Sequence, residues 1–424
     1  MQTLKSKKTK KKFVRTTLKS IWMSFSIAFM VSHLALPQSV EQISIMAWEG
    51  IPPDESTVER YVELRESGIT HNLTLFSNVE ELAVAMDAAA KVGIKMLVKC
   101  PELKTETEKI VKRFMNHPAI AGYCLLDEPN RSQFPALGEW VRKIQAIDDK
   151  HFCYVNLLPN TAAKDPYLGT ETYLEHVQLF IKEVPVQLLT FDHYPIFVDP
   201  SGQRVLREMW YENLEIISDE ACKAGKPFWA FALTVAHTTR TLGQYPIPTI
   251  ADIRLQVYSN LAYGAQGIQY FTYWTPKQSV SHGYHHAPID SITRKRTEVY
   301  DYIKEINTEI KNLSFVFLNA KVVSVAHTGK TIPRGTKRLS KLPDVIKTFE
   351  TEGPAGAVVS VLEKDGKSYL VVVNRDFKNN LKVKIEGDPG LQRILKDGSM
   401  VPASAYISTM TVAPGDILIY CWNN

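Results

Sequence analysis

Cysteine is scarce in this chain: five residues, Cys100, Cys124, Cys153, Cys222 and Cys421, lie far apart in 424. An odd, scattered set with no CxxC argues against a disulfide framework, leaving room for one chance pair, and against the usual cysteine-based metal site. Cys100, Cys124 and Cys153 fall in apolar runs, where cysteine acts as a small buried apolar residue. A long apolar run is missing too. Residues 21–31 form the best one, well short of the roughly 20 residues a membrane span needs. There is no G-x-G-x-x-G and no P-loop, so nothing points to dinucleotide or phosphate binding. No low-complexity segment follows residue 20.

What remains is a globular composition, 45% hydrophobic and 22% charged, able to bury a sizeable core. The length exceeds one ordinary domain of about 150 residues. The net charge of +5 belongs to the N-terminus: residues 1–20 hold eight basic side chains and no acidic one, and subtracting those eight leaves −3 for the body. A mildly acidic body offers no nucleic-acid surface. The basic run followed by the apolar stretch to Val31 reads as a secretory signal within residues 1–40. Its cleavage site is poor, and no Cys follows it to carry a lipid anchor. The expected location is periplasmic or extracellular, with membrane contact only through that segment.

Residues 41–313 alternate short apolar runs with longer amphipathic stretches. Eight strands are expected at 43–48, 69–76, 95–100, 120–127, 152–157, 186–192, 227–233 and 267–274. They lack period-2 alternation, as parallel strands covered on both faces do. Helices are expected at 79–92, ending at Gly93, and at 105–115, 132–147, 170–182, 207–224, 249–264 and 300–313. Thr249 and Asp252 are spaced as a capping box. Eight βα units in this length predict a (β/α)8 TIM barrel. In residues 314–424 the pattern changes to short strands at 357–362, 368–374, 381–385 and 417–422. An Asp365-Gly366 hairpin turn joins the first two. This predicts a small C-terminal antiparallel β-sandwich domain.

In such a barrel the chemistry sits at the C-terminal ends of the strands. The first strand delivers Trp48 and Glu49 there, the fourth Asp127 and Glu128, the fifth Asn156. The sixth delivers Asp192, His193 and Tyr194, and the eighth Tyr273 and Trp274. Carboxylates, amides and aromatic rings on one rim suit glycosidic cleavage. One carboxylic acid protonates the leaving oxygen and a second carboxylate attacks carbon or activates water. Rings stack on sugars, and amides and histidine bind hydroxyls. The alternative for Asp127-Glu128 is a solvated pair at a helix start. For Asp192-His193-Tyr194 it is a structural network, and for Trp274 it is core.

Asp127-Glu128-Pro129 resembles the Asn-Glu-Pro motif of clan A glycoside hydrolases. Tyr270-Phe271-Thr272-Tyr273-Trp274 resembles the segment carrying the clan's sugar-stacking tryptophan. Gly264-Ala265-Gln266-Gly267 and Ala287-Pro288-Ile289-Asp290 are similar to barrel hydrolases akin to family 42 β-galactosidases. The resemblance implies that Glu128 is the acid/base. It also implies an oligo- or polysaccharide substrate and no cofactor. One departure stands out: the clan's nucleophilic Glu ends strand seven, and here that strand reads Lys226 to Thr234 with no carboxylate. Asp192 or Glu49 is a candidate replacement, and Asp127 orienting a substrate N-acetyl group is a third. The competing readings are a carbohydrate-binding protein on a hydrolase-like barrel and an enzyme of another class using Lys99. His282, His285 and His286 are read as a loop over the barrel mouth, not a metal site.

Overall fold

A computed structural model describes residues 42–239, 243–277, 282–406 and 408–424. The signal expected in residues 1–40 lies outside the described residues. Among those described, no helix is long and apolar enough to cross a membrane.

Eight parallel strands close a barrel: β1 (Ser44–Trp48), β2 (His71–Leu73), β3 (Lys95–Val98), β4 (Ile120–Asp127), β5 (Phe152–Leu157), β6 (Leu189–Phe191), β7 (Phe228–Leu233) and β8 (Gly267–Phe271). Each pairs with its neighbours in sequence, and β8 closes on β1. Residues facing the helices and residues filling the barrel are both buried: Ile45, Ala47, Val98, Tyr123, Val155 and Phe191 join the main core, and Met46, Leu73, Leu97, Cys124, Tyr154 and Trp229 pack inside the barrel. Burial on both faces is why these strands read as unbroken apolar runs.

The helices carry the signals expected of them. Helix Val79–Val92 starts on the Asn78 side chain and ends at Gly93, whose φ of 76° suits a residue without a Cβ. Thr249 and Asp252 form the reciprocal box at the start of Ile250–Ala262. Helix Val58–Glu66 was not expected; it is highly charged and buries only Tyr61 and Leu64.

The C-terminal region is two antiparallel sheets. Strands Lys321–His327, Ala357–Lys364, Lys367–Asn374, Ile417–Asn423, Gln392–Ile394 and Met400–Pro402 make the larger. Ile346–Glu352, Leu381–Gly387 and Met410–Val412 make the smaller. Asp365 and Gly366, both at positive φ, turn the expected hairpin. Alternate residues split the larger sheet between two cores. Val359, Leu370, Val372 and Leu418 face the smaller sheet. Val358, Val371, Val373 and Ile419 join the barrel core, where helices Ile250–Ala262 and Glu298–Phe317 pack against the sheet. The sandwich is thereby fused to the outer wall of the barrel.

Candidate active site

The rim of β4 is shaped by a bulge. Cys124 pairs with Tyr154 but Leu126 pairs with Val155, so Leu125 is an extra residue. Bulges re-aim side chains and gather near active sites. Here the extra residue sets Asp127 opposite Asn156; without it Leu126 would take that place. Glu128 follows at a φ of 50°, sparsely populated for a residue with a Cβ and unusual before proline. The Glu128 N–H donates to the Asn156 carbonyl at 2.8 Å, which holds the turn. Strain of this kind, held by its surroundings, concentrates at functional sites.

Asn156 gathers the acids. Its Nδ2 donates to Asp127 Oδ1 at 3.1 Å and to Asp192 Oδ1 at 3.2 Å, and its Oδ1 accepts from Thr190 Oγ1 at 3.2 Å. One amide thus ties the ends of β4, β5 and β6. Asn156, expected to touch ligand, is buried and bonded to these groups instead. Asp127 and Glu128 are both exposed at the rim, yet protein surrounds them closely enough to strip much of their water. Burial, then the Asp127 charge, pushes the Glu128 carboxyl up to about 7. Burial and then Glu128 and Asp127 raise Asp192 well above the usual carboxylate range. Asp127 is raised by burial against the pull of Asn156 and Lys99.

The site residues expected from sequence divide between two clefts. Glu128, Asp192, His193 and Tyr194 line one of about 400 Å³. Trp48, Glu49 and Trp274 line another of about 690 Å³. An aromatic wall stands between them: Tyr194 stacks on Phe271 at 5.5 Å, and Phe271 packs on Trp48 at 5.7 Å. Electrostatics cross that wall, because Asp127 raises both Glu128 and Glu49. For Glu49 burial is the larger effect, and Lys99 opposes it. The Lys99 ammonium sits 4.8 Å over the Trp48 ring. The Glu49 carbonyl is clamped by Thr272 Oγ1 at 2.7 Å and by the N–H groups of Tyr273 and Trp274.

Tyr273 requires a correction. It is 1% exposed and belongs to the barrel core, packed against Tyr300. Its neighbour Trp274 is buried in the same core, 6% exposed, and also lines the larger cleft, with the Arg60 guanidinium 5.1 Å over its ring. Among the described residues, His285 and His286 touch through their Nδ1 atoms and no group of three metal-ligating side chains converges.

Sequence reasoning missed Arg207, His237 and Tyr245, all lining the smaller cleft. His237 and Tyr245 come from a four-stranded sheet of three-residue strands, Ile196–Val198, Arg204–Leu206, His237–Thr239 and Gly243–Tyr245, built on the loops after β6 and β7, and Arg207 directly follows the second of them. Strands this short leave no periodicity to detect. His237 stacks on Tyr245 at 4.5 Å, and burial pushes its imidazole down to about 4. At the end of β7, Thr234 is buried, with its hydroxyl donating to the Thr272 carbonyl. No carboxylate follows up to Thr239.

Residues 160–313 match the glycoside hydrolase family 42 model, described as Beta-galactosidase. This part of the chain resembles the family 42 glycoside hydrolases. It holds Asp192, His193, Tyr194 and Trp274 but not Glu128. Among solved structures, the β-galactosidase from Bacillus circulans sp. alkalophilus superposes with a TM-score of 0.60 at 10% identity, covering 90% of this chain and 99% of that one. A catalytic mutant of a GH42 β-galactosidase from G. stearothermophilus gives 0.57 at 9% identity, covering 90% and 98%. Against the β-galactosidase from the psychrophilic Marinomonas ef1 the TM-score is 0.46 at 11% identity, and the chain spans 64% of itself but 60% of that protein's length. No curated protein sequence matches significantly. At such identities the likeness is one of fold, a clan A hydrolase-like barrel, and the family match supports glycosidase activity in general terms.

Proposed function

We propose that this protein is an exported glycoside hydrolase that cleaves O-glycosidic bonds with Glu128 as general acid. The observation that carries the reading is the setting of Glu128: the carboxyl end of β4, held at positive φ, in a cleft shared with Asp192, its carboxyl pushed up to about 7. Such a group keeps its proton near neutrality, as the protonation of a leaving glycosidic oxygen requires.

Asp192 is the second carboxylate in this reading. With no carboxylate at the end of β7, Asp192 acts as general base in the state where Glu128 holds its proton and so no longer opposes the Asp192 charge. Asp192 takes a proton from water, the water oxygen bonds to the anomeric carbon, and the proton of Glu128 goes to the departing oxygen. The result is inversion. Asp127 raises Glu128 by its charge, and Asn156 holds both aspartates in place. Trp48, Trp274 and Tyr194 offer ring faces to sugars, and Glu49 offers a hydroxyl acceptor. The substrate is an oligo- or polysaccharide, with galactosides the first to try, given the names of the family model and its structural relatives. The basic run and apolar stretch within residues 1–31 support export; N-terminal sequencing of the mature protein tests it.

The decisive experiment is hydrolysis across aryl galactosides, glucosides, N-acetylhexosaminides and polysaccharides, wild type beside Glu128→Gln. Turnover by wild type that the variant loses by about a hundredfold or more supports the acid role, since general-acid catalysis contributes about 10²–10⁴-fold. The bare end of β7 favours a second reading, a carbohydrate-binding protein on the same barrel. Equal glycan binding by both proteins with no turnover would establish that reading in its place.

A further inference from the structure

We propose that His193 is a specificity residue whose Nε2 accepts a hydrogen bond from a hydroxyl of the sugar ring bound beside Asp192. The proposal rests on the glycosidase reading and assigns the protonation state of one side chain in that site.

The assignment follows from a relay across three elements. The backbone N–H of Asn160, in the loop after β5, donates to Asn213 Oδ1 at 2.7 Å. A backbone N–H can only donate, so that atom of Asn213 is the carbonyl oxygen. Its Nδ2 donates in turn to the Tyr173 hydroxyl at 3.2 Å, which accepts it in that orientation. His193 Nδ1 lies 3.1 Å from Asn213 Oδ1. Facing an acceptor, Nδ1 carries the proton. The other nitrogen then holds a lone pair for as long as the ring is neutral.

The surroundings keep it neutral. His193 is 3% exposed and faces the positive Arg207. Burial first, and Arg207 after it, push the imidazole down to about 3 despite the bond to Asn213. Nε2 is therefore a buried acceptor, and no donor among the described residues reaches it. An acceptor left this way is costly, and native proteins rarely leave one unexplained. His193 lines the cleft shared by Glu128 and Asp192 and adjoins Asp192 in the chain. What fits is a donor arriving with the substrate, whose binding must open the short path from the cleft to this nitrogen, closed to water in the free protein. A sugar hydroxyl supplies one; a carboxylate would meet the lone pair with its own charge.

The test uses a panel of monodeoxy and deoxyfluoro aryl glycosides of the preferred sugar, with wild type, His193→Phe and His193→Gln. Binding is measured by calorimetry beside kcat and KM. Wild type is expected to lose about tenfold for one analogue in the series, the value of one hydrogen bond. His193→Phe should level that difference, and His193→Gln, which can offer an oxygen, should restore part of it. A uniform loss across the series would mark a merely structural role and overturn the proposal. So would unchanged discrimination in His193→Phe. A 15N-histidine spectrum checks the tautomer without any variant: Nε2 should be unprotonated at neutral pH and shift on adding substrate, and a protonated Nε2 overturns the assignment. If no glycoside binds or turns over in wild type, the glycosidase reading falls and this proposal falls with it, an outcome distinct from binding without discrimination.

Discussion

The two halves of the barrel mouth are built for different work. On the β4–β6 side a bulge, a strained glutamate and one buried asparagine bring Asp127, Glu128 and Asp192 together. On the β7–β8 side the rim is Thr234, His237, Phe271 and Trp274, with Thr234 bonded to the backbone of Thr272. The first half holds protons and negative charge in a setting that raises every carboxyl in it. The second offers rings and hydrogen-bonding edges, and among the described residues no carboxylate stands at the end of β7. Proton transfer and direct attack by water need only the first half. A covalent glycosyl intermediate would need a carboxylate the second half does not provide.

Substitutions can break this contrast or sharpen it. The largest effect is expected for Glu128→Gln, where kcat/KM should fall by about 10²–10⁴-fold on aryl glycosides with the fold unchanged by circular dichroism. Asp192→Asn should lose about a hundredfold or more on the same scale, and proton NMR of the first product should show an inverted anomer from wild type. A retained anomer would place the second group elsewhere, with Glu49 the next candidate.

A subtler change is expected from Asp127→Asn. The negative charge of Asp127 favours the protonated form of Glu128. Removing it lowers the Glu128 value, so the acid loses its proton earlier as pH rises. The alkaline limb of the kcat/KM profile, near 7 in wild type, should therefore move to lower pH. A limb that stays or moves upward would mean that another group carries it. Because Glu128 raises Asp192, the two titrations are linked, and both limbs belong to the pair and not to either residue alone. The smallest effect is expected at Tyr273, on the other half. Its hydroxyl is buried without a partner, so Tyr273→Phe should leave kcat/KM unchanged and stabilise the fold by up to about 1 kcal/mol in chemical denaturation.

Much of this was legible in the residues. Parallel strands buried on both faces leave continuous apolar runs, so all eight were placed, and β4 and β5 to the residue. The Gly93 end, the Thr249–Asp252 box and the Asp365-Gly366 turn follow from local backbone chemistry and appear as expected. Helix Val58–Glu66 was missed because its apolar stripe amounts to two buried residues. Tyr273 and Trp274 were read alike, since a rim segment past the end of a strand has no register to say which side chain meets a cleft; both are buried, and of the two Trp274 lines one. His237 and Tyr245 left no signal in strands of three residues, and Arg207 was read as the start of a helix that begins at Trp210.

The residues by themselves determined the barrel, the fused sandwich and the placing of an Asp-Glu pair at the end of the fourth strand, because propensity, capping and apolar periodicity act within a few residues of chain. Only the tertiary structure decided which cleft each rim group enters, that Asn156 serves two aspartates rather than a ligand, and which nitrogen of His193 carries the proton. Those outcomes depend on partners 20 to 53 residues away, and on burial, which no short stretch of sequence contains.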